Sequence, residues 1–264
     1  MKKVAILLLA ILTFSCSDDD EKGTEEDKGQ WAMIFNETVK SDSNPVDRTE
    51  KFMFDGERLI QHIIKQRYFE EEISNEVNLS YSDNQVTVTT DYLTLVYTLN
   101  SEGYASQCVY SLSSQNRIYQ FSYSAEGYLT GIVENIDNRE YSSTSLTYEN
   151  GDITSISSKM NGLENKFIYE PGEESSTYHL PCLGLLEIHP LTFHIEALYA
   201  GLLGKDPHHF TIRSSPAGSN DEKTVYSYGF DKKGNPSRMI CQTTYAGGQA
   251  SYYPYTRNIS VSFE

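Results

Sequence analysis

Residues 121–132 read FSYSAEGYLTGI and contain the pattern that recurs along most of this sequence. Phe121 and Tyr123 are two positions apart, so they point to the same face of a β-strand. A short polar turn follows, with Gly127 at its end, where a tight hairpin requires the positive φ angle that glycine adopts readily. A second run of alternating apolar residues completes the stretch, which therefore predicts a β-hairpin.

Related hairpins appear before and after this stretch. They cover residues 52–56 leading into 59–60, 79–84 leading into 86–88, 95–97 followed by 100–104, 146–151 leading into 153, 167–169 before Pro171-Gly172, and 228–234. A recurring unit of this kind is the first signal to read in a sequence. Because the spacing is irregular, the pattern predicts a meander of related hairpins and not a strict solenoid.

Strict alternation of apolar and polar residues predicts strands with one buried face and one face in water. The predicted buried faces are Val77/Leu79/Tyr81, Val86/Val88, Tyr119/Phe121/Tyr123 and Ile259/Val261/Phe263. A long antiparallel meander twists and curls, so we expect an all-β fold that forms a closed or partly open barrel. Alternation leaves open whether the apolar face points inward, as in water, or outward to lipid, as in an outer-membrane barrel. We favour the first arrangement, because an apolar segment is available to fill the barrel.

The hairpin pattern resembles the tyrosine-aspartate repeats of secreted shell proteins. It resembles more closely a Bacteroidetes lipoprotein family of unknown function with a porin-like fold. The resemblance covers residues 52–263 and departs from the pattern between Tyr169 and Tyr226, where the hairpins stop. It implies a barrel fold, and it implies no catalytic residues, since that family has no assigned chemistry.

The filling segment is predicted within this interruption, at residues 173–218. Leu191, Ile195, Leu198 and Leu202 follow helical spacing. Pro190 suits a first helical turn, and Gly201 or Gly204 can end a helix. We therefore expect an inserted amphipathic helix near residues 180–204, acting as a plug. Glu187, His194 and Glu196 lie within it, which argues against a membrane-spanning helix.

Histidines are concentrated in the same region, at His179, His189, His194, His208 and His209. Their spacing matches no zinc motif, since His-Glu-x-x-His is absent and His208 and His209 are adjacent. We interpret them as loop and partly buried core histidines, and we predict neither a metal site nor a cofactor.

The N-terminus predicts a lipoprotein signal. Lys2 and Lys3 precede the apolar residues 4–12, and a small residue then stands directly before Cys16. We predict that residues 1–16 are the signal peptide with Cys16 as the lipid-bearing residue. A surface-export tag is predicted to follow at Ser17, Asp18, Asp19, Asp20 and Glu21. Residues 17–30 hold almost no apolar side chains, which predicts a disordered acidic tether before a single β domain at 31–264.

The charge of the chain limits its possible partners, and its cysteine content limits the number of disulfides. The sequence has 37 acidic and 21 basic residues, a formal net charge of −16, which argues against nucleic acid as a partner. Anchoring to a membrane is therefore expected through the lipid and not through charge. With Cys16 lipidated, Cys108, Cys182 and Cys241 allow at most one disulfide, and we interpret them as buried thiols.

No nucleophile elbow, phosphate loop or spaced pair of catalytic carboxylates is present in the sequence. The leading hypothesis is a surface-exposed outer-membrane lipoprotein that binds a glycan, a peptide or a lipophilic ligand without catalysis. The alternatives are a structural or assembly subunit of an outer-membrane complex and, less favoured, a glycan-active enzyme with its carboxylates on distant strands.

Overall fold

The computed structural model describes residues 29–40, 46–68, 71–112, 115–176, 185–186, 188–218, 222–245 and 255–264. The predicted signal peptide, Cys16, the export tag and all of the tether before Gly29 lie outside these residues. His179, Cys182 and Glu187 lie outside them as well. The first described strand begins at Gln30, which pairs with Asp55.

The described residues form sixteen strands. These are β1 (Gln30–Lys40), β2 (Val46–Asp55), β3 (Arg58–Tyr68), β4 (Glu71–Ser82), β5 (Gln85–Thr89), β6 (Thr94–Leu99), β7 (Ala105–Leu112), β8 (Gln115–Tyr123), β9 (Leu129–Ile136), β10 (Arg139–Glu149), β11 (Asp152–Met160), β12 (Leu163–Ser175), β13 (His209–Pro216), β14 (Glu222–Phe230), β15 (Pro236–Tyr245) and β16 (Tyr255–Phe263).

The strands form one closed antiparallel barrel in which each strand pairs with its neighbours in sequence. The ring closes between β1 and β16, where Phe35 lies opposite Val261. Closure satisfies the backbone groups that an open sheet would leave unpaired at its two edges. The predicted all-β meander is confirmed, and the barrel is closed rather than partly open.

The two ends of the barrel differ in their turns. The end that we call lower carries the turns after β2, β4, β6, β8, β10 and β14, which are the turns of the repeated motif. Gly103 and Gly127 there have φ angles of 86° and 94°, as the hairpin prediction required. The opposite, upper end carries the turns at 137–138 and 161–162. Because β1 starts and β16 finishes at the lower end, Gln30 and Phe263 both lie there.

The inward faces of the strands are mainly apolar and aromatic, and the outward faces are mainly polar, with exposed apolar residues such as Ile73, Ile168 and Ile212 among them. Each predicted apolar face is buried or half-buried, including the fully buried Val86 and Tyr119. The residues that alternate with them are polar and largely exposed, for example Ser80, Gln120 and Ser260. Within the described residues, no helix has the length and apolar character needed to cross a membrane.

The structure differs from two predictions made for the chain between Tyr169 and Tyr226. Pro171-Gly172 is not a turn, because β12 continues through it to Ser175 with shifts in its pairing to β13. A further strand, β13, lies inside the stretch where hairpins were expected to stop. The pairing shifts break the two-residue period along β12 and β13, so alternation alone could not predict this pair.

The predicted amphipathic helix near residues 180–204 is not confirmed. Among the described residues of this stretch, helical structure consists of 3-10 residues at 185–186, a 3-10 turn (Leu191–Phe193) and α1, a five-residue helix (Ile195–Tyr199). The 3-10 turn ends at His194, whose backbone φ and ψ of −124° and 27° are not helical, so one continuous helix cannot form. The expected role of Gly201 as a terminator is confirmed. Leu202 N–H bonds the carbonyl of Ala197 and Gly201 N–H bonds that of Leu198, a Schellman ending with Gly201 at φ 68°.

Candidate binding site at the upper end of the barrel

Residues 188–208, here called the connecting segment, contact the inward faces of strands around most of the barrel. Tyr199 stacks on Phe52 of β2 with ring centroids 4.0 Å apart, and His189 reaches Glu134 of β9. Leu191, His194 and Ala197 are completely buried. The segment therefore runs from the upper end, at His189, to the lower end, at His208.

Backbone hydrogen bonds fasten this segment at the lower end. The amide of Ala105 donates to the carbonyl of Leu202 at 2.7 Å, and the amide of Lys205 donates to the carbonyl of Gly127 at 2.9 Å. The amide of His208 donates to the carbonyl of Gly151 at 3.1 Å. The turns at the lower end therefore have two roles, since they join strands and also bind the connecting segment.

In the middle of the barrel, His194 is enclosed by aromatic rings. Its Nδ1 lies 2.8 Å from the hydroxyl of Tyr97, and its ring meets that of Tyr119 edge to face at 4.4 Å. Its Nε2 is buried without a hydrogen-bond partner. Burial lowers the pKa of His194 to about 3, so this imidazole is neutral and serves as a core side chain.

Toward the upper end, the carboxylate of Glu134 is fully buried and has four partners. His189 Nε2 and the Ser142 hydroxyl approach Oε2 at 2.6 and 2.7 Å, and the Tyr119 hydroxyl and Arg117 Nη1 approach Oε1 at 3.2 and 3.3 Å. Burial alone raises the pKa of Glu134, but the hydrogen bonds from His189 and Ser142 and the nearby charges outweigh it and lower that pKa. Glu134 is therefore an ionised anchor that holds His189 and Arg117 in place.

Above this anchor lies a group of half-buried side chains that we call the rim patch: Tyr110, Arg117, Tyr141, His189 and Phe193. The Arg117 guanidinium lies over the rings of Tyr110 and Phe193, 5.5 and 5.8 Å from their centroids. The His189 ring lies edge-on between Phe193 and Tyr141, at 5.6 and 6.2 Å. Phe193 and Tyr141 remain 38% and 36% exposed, which is high for large apolar side chains.

A β-bulge aims Tyr141 into this patch. Glu140 pairs with Asn135 and Ser142 pairs with Glu134, so Tyr141 is an extra residue without a partner on β9. Such bulges redirect a side chain at the rim of a barrel. The same bulge brings Ser142 inward to Glu134, so one backbone irregularity supplies both the anchor and one wall of the rim patch.

On the opposite side of the upper half, charged side chains line a small cleft. Arg257 pairs with Glu37 of β1, and Arg48 Nε lies 2.6 Å from Glu50 Oε1. The cleft holds two arginines and two glutamates, so its charges balance. Unlike the rim patch, it exposes no large aromatic face.

The predicted histidine cluster is divided between the two ends. His189 belongs to the rim patch and His194 to the core. His208 and His209 lie at the lower end, where His208 Nε2 is 2.9 Å from the Tyr128 hydroxyl and His209 Nδ1 is 2.9 Å from Asp152 Oδ2. The part of the chain that the structure describes brings no three His, Cys, Asp or Glu side chains together around a metal position.

Sequence reasoning missed Glu134, Arg117 and His62 as buried or half-buried charged groups. The sequence could have indicated the burial of Glu134, because this residue lies two positions from the buried Ile132 and so falls on the inward face of β9. A charged residue on an apolar face is informative. Its partners could not be predicted, since His189 is 55 positions away in a segment without period-two alternation.

Comparison with solved structures agrees with this architecture. A porin-like protein from Bacteroides uniformis ATCC 8492 is 26% identical, with a TM-score of 0.80 over 88% of this chain and 96% of that one. A porin-like protein from Bacteroides vulgatus ATCC 8482 is 12% identical, with a TM-score of 0.53 over 87% and 97% of the two chains, and shows the shared fold alone. A search of curated proteins gave no match. Residues 52–238 match one family model, so the chain belongs to the family described as a domain of unknown function (DUF4595) with porin-like fold.

Proposed function

We propose that this protein is a lipid-anchored, surface-exposed outer-membrane protein that binds a neutral glycan at the rim patch without catalysing a reaction. The observation that carries the proposal is the pair of half-exposed rings, Phe193 and Tyr141, held on either side of His189 above the buried Glu134 anchor. The lipid anchor at Cys16 and the export tag rest on the sequence pattern of the N-terminus.

The mainly polar outward face supports a barrel that stands in water. A barrel embedded in lipid turns an apolar band outward. Here Ser145, Thr147 and Glu149 of β10 are exposed, and Leu146 between the first two is buried. In this proposal the connecting segment fills the lumen, so the protein is a binding module and not a pore.

The position of Gln30 supports one orientation of the barrel relative to the membrane. A tether from Cys16 would join the barrel at Gln30, which lies at the lower end. The rim patch, at the upper end, would then face away from the membrane. A ligand at the cell surface would meet it first.

The chemistry of the rim patch favours a glycan over the other two ligand classes. Sugar rings have apolar C–H faces that pack on aromatic rings, and hydroxyl edges that can accept a hydrogen bond from Arg117 and donate one to the ring nitrogen of His189 that does not contact Glu134. A peptide bound by strand addition needs an open sheet edge, and a closed barrel has none. A lipophilic ligand would need the cleft beside Leu146 and Leu198 near the lower end, away from the rim patch.

Glycan-array screening of the purified full-length protein in detergent, followed by calorimetry, tests the proposal. Phe193→Ala and Tyr141→Ala should each weaken binding about 10-fold, which is ~1.4 kcal/mol. Tyr92→Ala is the matched control, because Tyr92 is 71% exposed at the upper end but outside the rim patch. Absence of any glycan ligand, or equal losses in the control, would overturn the proposal. Binding of a fatty acid instead would point to the cleft near the lower end.

Immunolabelling of intact cells tests the location. Wild-type protein should be labelled without permeabilisation. A variant with alanine at positions 17–21 should be labelled only after permeabilisation, and Cys16→Ala should leave the membrane fraction. Labelling of the wild type only after permeabilisation would contradict surface exposure.

An assembly role is the second candidate. Ile168, Ile212 and Val225 are exposed on the neighbouring strands β12, β13 and β14, with an ion pair between Arg213 and Glu170 beside them. A patch of this kind marks a protein contact when it is large enough. Co-purification of a stoichiometric partner that Ile168→Ser and Val225→Ser release would favour this role over ligand binding.

A further inference from the structure

A completely buried histidine joins the barrel wall to the connecting segment. His62 of β3 has no exposed surface. Its Nδ1 lies 2.8 Å from Glu196 Oε1 on α1, and its Nε2 lies 3.1 Å from Glu50 Oε2 on β2. One imidazole therefore contacts two carboxylates on two different elements.

Among the described residues that pack around His62, the charged groups in direct contact with its ring are these two carboxylates. On β2, Phe52 stacks on the imidazole with centroids 4.0 Å apart, and on β4 the residue opposite His62 is Val77. Arg48 lies behind Glu50, 2.6 Å from its other oxygen. From the connecting segment, Tyr199 packs on the same Phe52 ring.

This double contact requires a proton. Carboxylates only accept hydrogen bonds, and a neutral imidazole has one N–H to donate. Both bonds form when the ring is an imidazolium, with an N–H on each nitrogen. Loss of the proton would leave one of two largely buried carboxylates facing a nitrogen lone pair of the fully buried imidazole, which is costly.

We propose that His62 is a proton-operated latch that holds the connecting segment against the barrel wall. When His62 is protonated, Glu196 and α1 are held next to β2 and β3. When it loses its proton, α1 is released locally while the barrel stays closed by its own ladder of strands. Phe193 and His189 precede α1 on the same segment, so release would also loosen the rim patch. The latch itself does not depend on the proposed ligand.

The pH range of the latch follows from the two partners. Burial lowers the pKa of His62, but the hydrogen bonds and charges of Glu196 and Glu50 outweigh it and raise that pKa above 6.5. The contribution of His62 is therefore fully present below 6.5 and is lost as pH rises through the raised pKa. Burial raises the pKa of Glu50, but His62 and Arg48 lower it below 4.5, so its contribution is lost only as pH falls through that lowered value. The latch is therefore closed at pH values between the lowered pKa of Glu50 and the raised pKa of His62.

Two measurements on the full-length protein test the latch. Nitrogen-15 NMR of histidine-labelled protein should show both His62 nitrogens protonated at about pH 6.5. A neutral ring at that pH would overturn the proposal, and this measurement needs no variant.

The second measurement is hydrogen exchange of peptides that cover residues 191–199, corrected for the intrinsic effect of pH. Protection should fall at least about 10-fold as pH rises through the His62 titration, while peptides of β9 and β10 keep their protection. His62→Gln should remove this pH dependence, and His209→Gln, at the part-buried pair with Asp152 near the lower end, should keep it. Unchanged protection across the titration in the wild type would overturn the proposal. If His62→Gln fails to fold, Glu196→Gln replaces it with the same expectation.

Discussion

The carboxylate of Glu134 and the imidazole of His189 lie 2.6 Å apart, although 55 positions separate them in sequence. This contact joins β9 of the barrel to the upper end of the connecting segment. It also fixes the ring that separates Phe193 from Tyr141. The stability of the barrel and the shape of the rim patch therefore depend on the same buried carboxylate.

Glu134→Gln should destabilise the protein by ~3 kcal/mol, because removing one charge from a buried ion pair leaves its partners without compensation. Urea unfolding measures this loss. Glu140→Gln is the control, since Glu140 is on the neighbouring strand and exposed, and it should change stability by less than ~0.5 kcal/mol. Equal effects of the two variants would contradict the anchoring role. In the wild type, the lowered pKa of Glu134 places its contribution above pH 4.5, and acid removes it.

His194 should make the fold less stable in mild acid. Its pKa is about 3 in the folded chain against 6.5 for an ordinary histidine, so below pH 6.5 the unfolded chain binds a proton that the folded chain does not. The free energy of unfolding should fall by up to ~1.4 kcal/mol per pH unit between these values. His194→Leu should flatten that slope in urea titrations repeated at several pH values. An unchanged slope would mean that His194 is protonated in the folded protein.

Gly204→Ala should reduce the stability of the fold more than Gly103→Ala does. Both glycines have positive φ, at 92° and 86°, so both alanines meet a strain of ~1 kcal/mol. A Cβ at Gly204 would also lie 2.6 Å from the carbonyl oxygen of Gly127, whereas one at Gly103 meets nothing within 4 Å. Thermal unfolding should show an additional loss of about 2 kcal/mol for Gly204→Ala. Similar losses of stability in the two variants would show that the connecting segment does not pack closely against the turn before β9.

Cys108 should resist alkylation in the folded protein. Its thiol is completely buried, burial raises its pKa to about 12, and the structure describes it as a free thiol. The thiolate is the reactive form, so iodoacetamide should modify Cys108 only after denaturation. Ser145→Cys supplies an exposed cysteine on the outward face of β10 as a positive control, read by mass spectrometry. Rapid labelling of native Cys108 would contradict its burial.

Local patterns were sufficient to predict the strands of the repeated hairpins and their apolar faces, although not β13. Tyr119 and Phe121 are buried and Gln120 between them is exposed, because a strand with one face in water must alternate in this way. The turns at Gly103 and Gly127 were equally predictable, since they need a positive φ that few residues adopt. The pairing that closes the ring was not predictable, because Phe35 and Val261 are at opposite ends of the sequence and no local pattern pairs them.

The connecting segment shows why the candidate site could not be predicted. Leu191, Ile195, Leu198 and Leu202 are spaced as in a helix, yet they bury their side chains along an irregular path through a 3-10 turn and a short helix. Packing against the barrel overrides helical propensity, which is a weak determinant by itself. The bulge at Tyr141 is likewise a tertiary feature, because nothing in residues 139–142 marks one of them as the extra residue.

The pairing of β1 with β16 determines when this molecule can finish folding. The first and last strands of the domain complete the ring, so during synthesis every intermediate has two open sheet edges until β16 has emerged. Contacts between such distant parts of a chain form slowly, and open edges invite pairing with other chains. The newly made polypeptide therefore depends on its cellular surroundings for protection against aggregation for longer than a protein whose first strands can pair and close early.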